Sequence, residues 1–257
     1  MLKVRVIPTL LWKEFGLVKG VGFNSGRRVG PVLPAIKVYN KREVDELVLV
    51  DILANSVNED LDYASVADFS QDCFVPFSVG GGIRNQAQVQ RLLSAGADKV
   101  TINTAAFDNP ELISAIASQH GVQCVVGSVD VRHTRNKSWM CFSHSGKTET
   151  GKDVRDHVRQ LEANGAGEIL ITSIDRDGTM SGYDLELIET VVNAVKIPVI
   201  ASGGAGCYQD MVDAVLKTGA SAVAAASIFH FTQHTPSGAK DFMQAAGIPI
   251  RKNYVKK

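Results

Sequence analysis

Chemistry is first legible in two glycine-rich turns. Gly80-Gly81-Gly82 closes one apolar run and Gly203-Gly204 closes another. In each case the next apolar run ends in small residues, Asn103-Thr104 and Ala226-Ser227, and helical sequence follows. Glycines let backbone N–H groups approach an anion, and the start of a helix adds positive dipole. The pattern suits a phosphate site, and it occurs twice, so the expected ligand carries a phosphate at each end. The plainer alternative is that the glycines only permit tight strand-to-helix turns. A third position is Asp130, which ends the apolar run in "VVGSVDVRH". A carboxylate bordered by an apolar wall suits general acid–base work. Its alternative is to pair with Arg132 or cap a turn. When the segment ending at Leu11 is laid over the segment ending at Asp130, Leu11 falls on Asp130. Leucine carries no proton, so one acid stands where a two-fold pattern has room for two.

These residues need elements to position them. Eight short apolar runs read as buried strands: Val4–Leu10, Glu46–Asp51, Phe74–Val79, Lys99–Ile102, Cys124–Val129, Glu168–Thr172, Val199–Ala201 and Ala222–Ala225. The first leads at Leu11 and Trp12 into a loop rich in charge and glycine. Amphipathic helices are expected over Asn109–Gln119, Val154–Asn164, Leu185–Ala194 and Tyr208–Lys217. Strands buried on both faces and alternating with helices imply a parallel sheet. Eight units in a chain of 257 residues match a (β/α)8 TIM barrel. A doubly wound open sheet is the alternative, but it does not call for eight similar units. The barrel also repeats within itself. Pro76 in "VPFSVGGGI" matches Pro198 in "IPVIASGGAG", an offset of 122. "GADKVTINTAAF" resembles "GASAVAAASIF", and "DELVLVDI" resembles "GEILITSI". Units one to four therefore resemble units five to eight, a two-fold half-barrel repeat. Residues 1–257 are read as a single domain, since no linker divides them.

Composition narrows the function. Lys plus Arg number 27 and Asp plus Glu number 27, which argues against a general nucleic-acid binder. Cys73, Cys124, Cys141 and Cys207 are widely spaced with no C-x-x-C pair. Core thiols in a reducing, cytoplasmic setting are expected. Neither a signal peptide nor a membrane span is legible. The six histidines are scattered along the chain, and neither metal nor cofactor is expected. His230 is assigned to packing or a turn.

The stretches "FSVGGGI", "GADKVTINTAA", "GAGEILITSIDRDGT", "SGYD" and "IASGGAG" make the chain resemble the cyclase subunit of imidazole glycerol phosphate synthase over essentially its whole length. The resemblance implies a (β/α)8 barrel and a histidine-biosynthesis reaction. A substrate phosphorylated at both ends reacts with ammonia to give imidazole glycerol phosphate and an aminoimidazole carboxamide ribotide. The ammonia comes from a separate glutaminase subunit, which implies a heterodimer. The family's phosphate contacts carry over to Gly82, Asn103 and Thr104 in one half, and to Asp177, Gly178, Gly204, Ala226 and Ser227 in the other. Its loop lysine maps to Lys19, a flexible cation able to reach the substrate or a solvated surface charge. Asp51 falls at the mouth as a substrate contact or a turn cap.

The family's two catalytic aspartates map to Asp130 and to Leu11, so half of the acid–base pair is missing. Glu14, three residues on, is a remote substitute. Its ammonia gate of four charged residues maps to Arg5, Glu46, Lys99 and Glu168, each at the start of a strand. The alternative is ordinary strand-start charge. Asp98 maps to the surface that meets the glutaminase. Three functions stay open on this reading. The chain is a working cyclase subunit, or a paralogue that passes ammonia to a sugar amidotransferase of surface polysaccharide synthesis, or a scaffold that only activates the glutaminase.

Overall fold

Parallel neighbours cannot be joined by a tight turn, and the chain supplies a crossover between each pair. The structure is a computed structural model describing residues 3–14, 16–53, 61–134 and 138–251. Its first half runs β1 (Arg5–Lys13), β2 (Gly16–Val21), β3 (Asn24–Gly30), α1 (Val32–Lys41), β4 (Leu47–Asp51), α2 (Tyr63–Gln71), β5 (Phe77–Gly80), α3 (Gln86–Ser94), β6 (Lys99–Ile102), α4 (Thr104–Asp108) and α5 (Glu111–His120). The second half runs β7 (Val125–His133), β8 (Trp139–Ser143), β9 (Thr148–Asp153), α6 (Val154–Ala163), β10 (Glu168–Ser173), α7 (Leu185–Val192), β11 (Val199–Ser202), α8 (Tyr208–Thr218), β12 (Ala222–Ala225), α9 (Ser227–Phe231) and α10 (Pro236–Ala245). Eight parallel strands follow the order β10-β11-β12-β1-β4-β5-β6-β7, and pairing of β7 with β10 closes the barrel.

Two apolar clusters hold it together. The larger lies between the strands and the surrounding helices and includes Leu10, Ile36, Leu49, Phe77, Leu92, Ile113, Val158 and Met211. The smaller fills the barrel interior with Ile7, Val48, Val126, Leu170, Ile200, Ala222 and Ala224. Alternation along each strand sorts residues between the two. On β1, Val6, Leu10 and Trp12 face the helices, while Ile7 faces the bore.

Several sequence expectations need correction. The segment after Leu11 is not a loop. β1 continues to Lys13 and folds back on β2, with Leu11 opposite Val18 and Trp12 opposite Leu17. The buried Trp12 ring meets Phe69 edge-on at 5.5 Å, which anchors the extension. β7 likewise continues through Asp130 to His133 and pairs antiparallel with β8. The two halves thus carry the same added hairpin at the same place. Cys124 lies in a 3-10 turn rather than a strand, and Cys207 is exposed at the start of α8, so only Cys141 is a fully buried thiol. β5 begins at Phe77, not Phe74. Asn40 grips the preceding turn from both sides, bonding Asp72 O and accepting from Phe74 N, and Phe74 is 81% exposed. Helices α1, α2, α3 and α10 were not singled out in the sequence.

Candidate functional site

A cavity of about 330 Å³ opens at the C-terminal ends of the barrel strands. Lys19, Asp51, Gly82, Asn103, Thr104, Asp130, Asp177, Gly178, Gly204, Ala226 and Ser227 all line it, as does Leu11. Period-two alternation explains the two facing positions. Thr9, Leu11 and Lys13 on β1 and Ser128 and Asp130 on β7 point inward. Leu11 and Asp130 each begin an antiparallel pairing, with Val18 and Phe142 respectively. The structure therefore supports the alignment of Leu11 with Asp130. Glu14 is not among the cavity-lining residues. It sits in an exposed turn at φ 51, where its carbonyl accepts from Trp12 Nε1.

The glycines are required sterically. A Cβ on Gly81 (φ +101) would lie 1.9 Å from Asp51 O, and one on Gly204 (φ +111) would lie 2.2 Å from Gly182 O. One on Gly178 (φ +75) would lie 2.0 Å from Gly20 O. The helices that follow the two small-residue ends, α4 and α9, have only five residues each. Their dipoles are correspondingly short, and donors at the turns matter more than the dipole. Several buried polar atoms in the lining have no partner: Thr9 Oγ1, Thr101 Oγ1, Asn103 Oδ1 and Ser227 Oγ. Unpaired buried groups of this kind are costly unless a ligand or water completes them.

Charge is distributed unevenly. Lys19 is not a free cation. It lies on β2, only 3% exposed, and its Nζ donates to both carboxylate oxygens of Asp177 at 2.7 and 2.9 Å. Strand pairing fixes the Lys19 backbone, Asp177 holds its ammonium, and the residue lines the cavity. Asp51 accepts from Leu53 N at 2.9 Å while facing the cavity, so it caps a turn and lines the mouth together. Asp130 accepts from Asn103 Nδ2 at 3.0 Å rather than from Arg132, which lies over the Phe142 ring. Burial out of water and then the nearby Asp177 carboxylate push Asp130 up to about 7. A carboxyl poised there can hold or release a proton near neutrality. His230 is pushed down to about 4 by burial first and Lys19 second, and it packs edge-on against Tyr39.

The lining also contains residues that were not read from the sequence: Lys13, Phe23, Ser145 and Lys147. Phe23, Ser145 and Lys147 come from the two added hairpins. His144 N donates to Thr104 Oγ1 at 3.0 Å, and a Cβ on Gly146 would meet the Phe23 ring at 2.9 Å. The hairpin tips therefore touch each other and the mouth. Their only sequence signal is the glycine and polar turn content between short alternating runs.

At the opposite end, the four strand-start charges form a closed ring. Arg5 reaches Glu46 at 2.7 Å and Glu168 at 3.1 Å; Lys99 reaches Glu46 at 2.9 Å and Glu168 at 3.3 Å. Each cation touches both anions. Glu46 is almost wholly buried and also accepts from Ser78 Oγ at 2.9 Å. The apolar interior cluster lies between this ring and the mouth. Asp98, on the exposed side of the same end, accepts from Phe77 N at 2.8 Å. Among the described residues, no group of three or more His, Cys, Asp or Glu is placed to hold a metal, and no helix is long and apolar enough to cross a membrane.

Residues 5–235 match the family described as "Histidine biosynthesis protein". The match spans most of the chain, and the chain belongs to that family of barrel enzymes.

Proposed function

We propose that this member of the histidine biosynthesis protein family receives ammonia from a glutaminase subunit and presents it to a doubly phosphorylated ligand held at the barrel mouth. The observation that carries the reading is the closed ring of Arg5, Glu46, Lys99 and Glu168, set beneath an apolar interior that opens into the phosphate-type cavity. Ammonia must stay neutral and out of bulk water to cross, and a paired ring with an apolar bore above it suits that task. Exposed Phe74 and Asp98 on the ring's end suit a protein partner there. In the family reaction, Asp130 is the residue that exchanges protons with the reacting centre.

Leu11 favours a second reading of the same site. Ring closure in the family uses two carboxylates, and the wall opposite Asp130 supplies none at strand 1. On that reading the chain is a paralogue of the cyclase subunit, and its ammonia goes to another acceptor, such as a sugar amidotransferase. One assay separates the two. Purified protein is given ammonium and the doubly phosphorylated family substrate. The paralogue reading expects turnover lower than that of a two-aspartate cyclase by about 10²–10⁴-fold. Turnover within tenfold of such an enzyme would exclude it and leave the cyclase reading. Crystals grown in phosphate test the ligand class, with anions expected beside Gly82 and Thr104 and beside Gly204 and Ser227. Two empty sites at high phosphate would count against a ligand phosphorylated at both ends.

A further inference from the structure

The barrel interior is not equally apolar on all sides. Its apolar cluster takes residues from β1, β4, β7, β10, β11 and β12 and none from β5 or β6. The β5/β6 wall is polar instead. At its foot Ser78, wholly buried, donates to Glu46 Oε1 of the charged ring at 2.9 Å. The next inward position on β5 is Gly80, opposite Thr101 in the sheet. A Cβ there would lie 2.9 Å from Thr101 Cβ, so the missing side chain makes room for the threonine. On β6 the inward positions climb from Lys99 in the ring to Thr101 and then to Asn103 at the strand's end. Thr101 is only 5% exposed, and its Oγ1 has no partner. Asn103 donates through Nδ2 to Asp130, while its buried Oδ1 has no partner.

An unpaired buried hydroxyl and an unpaired buried amide oxygen on one wall are costly. Valine would fill the volume of Thr101 without that cost. The chemistry of the two atoms defines what completes them. Asn103 Oδ1 only accepts, whereas the Thr101 hydroxyl both donates and accepts. A small neutral molecule with several N–H or O–H donors and a lone pair satisfies both. Lys99 at the foot of the same wall disfavours a cation. We infer that ammonia crosses the barrel along the β5/β6 wall, held at a station formed by Thr101 Oγ1 and Asn103 Oδ1 and released beside Asp130. The inference rests on the ammonia-conduit reading. Water shares the hydrogen-bonding chemistry and fills the station when ammonia is absent.

The test uses the full-length chain with its glutaminase and the doubly phosphorylated family substrate. The readout is the ratio of glutamine-driven to ammonium-driven product. Thr101→Val keeps the shape and removes the hydroxyl. Losing one buried hydrogen bond to the passing ammonia lowers the ratio by about fivefold to tenfold. Thr101→Ser keeps the hydroxyl and restores the ratio. A crystal structure of the unsubstituted chain shows one ordered small molecule within hydrogen-bond reach of Thr101 Oγ1 and Asn103 Oδ1, absent in Thr101→Val. Lys99→Ala separates the two levels of the argument. If Lys99→Ala lowers the ratio and Thr101→Val does not, the station is overturned while conduction stands, and any ordered molecule there is a structural water only. If neither folded variant changes the ratio, both ideas fall.

Discussion

Asp130 and Leu11 face one cavity from equivalent strand positions, yet only one of them titrates. The folded environment raises the Asp130 carboxyl from 3.8 to about 7, chiefly by burial. An acid whose folded value is raised binds its proton more tightly when folded than when unfolded. It therefore lowers stability as pH rises from about 4 to about 7. Asparagine stays neutral throughout. Asp130→Asn is expected to match the unsubstituted protein in stability near pH 4 and to exceed it at pH 8. The gain is of order 1–2 kcal/mol, allowing for water in the open cavity. Denaturant melts at the two pH values read this directly, and an equal gap at both would contradict the assignment. Product formation should fall by about 10²–10⁴-fold in the same variant. Leu11→Asp supplies the second carboxylate. It should raise cyclase turnover with ammonium by about tenfold or more and move the Asp130 midpoint higher by like-charge repulsion. Unchanged turnover in a folded Leu11→Asp protein would show that more than this one acid separates the chain from a two-aspartate cyclase.

The elements that decide access to the cavity are the two hairpins, β2–β3 and β8–β9. They were hidden in the sequence because charge and glycine dominate Lys13 to Gly20, and strand pairing there depends on Trp12 finding Phe69 across the fold. The first hairpin is held on the mouth by Gly22 N to Asp177 O at 2.9 Å and by the Lys19–Asp177 pair. Gly178 permits this contact. Its left-handed φ and the 2.0 Å approach to Gly20 O leave no space for a methyl group. Gly178→Ala should push the hairpin off its seat and cost about 1–3 kcal/mol from backbone strain alone. Titration calorimetry with inorganic phosphate should show binding at the adjacent half-site weakened and the Gly82 half-site retained. Equal loss at both sites would point to general unfolding instead, which a thermal melt would reveal.

At the scale of the whole molecule, the ring and the mouth occupy opposite ends of one bore. Lys99 contacts both ring carboxylates. Lys99→Ala leaves Glu46 and Glu168 to share Arg5 alone and should cost about 3–5 kcal/mol if the ring behaves as a buried network. Partial exposure of Lys99 and Glu168 places the value toward the lower end. In the folded variant, glutamine hydrolysis should continue while glutamine-driven product falls much more than ammonium-driven product. An unchanged ratio would make the ring a structural device.

The sequence by itself determined the eight strand units, the two-fold repeat and the two glycine-rich turns at the mouth. These are properties of local period and internal similarity, which survive without knowledge of neighbours. It also aligned Leu11 with Asp130 through the repeat, and the family resemblance implies an acid at that position. Only the tertiary structure decided what those residues touch. Lys19 turned from a free cation into a buried partner of Asp177, since a strand and a distant loop meet only in the closed barrel. Glu14 lies in an exposed turn and is not among the residues that line the cavity. The four ring charges come from strands β1, β6 and β10 and from the residue just before β4, so their mutual pairing is set by barrel closure and not by spacing along the chain. The polar β5/β6 wall has the same origin. A threonine and an asparagine two positions apart reveal an unpaired track only when six other strands have covered the remaining surface with apolar side chains.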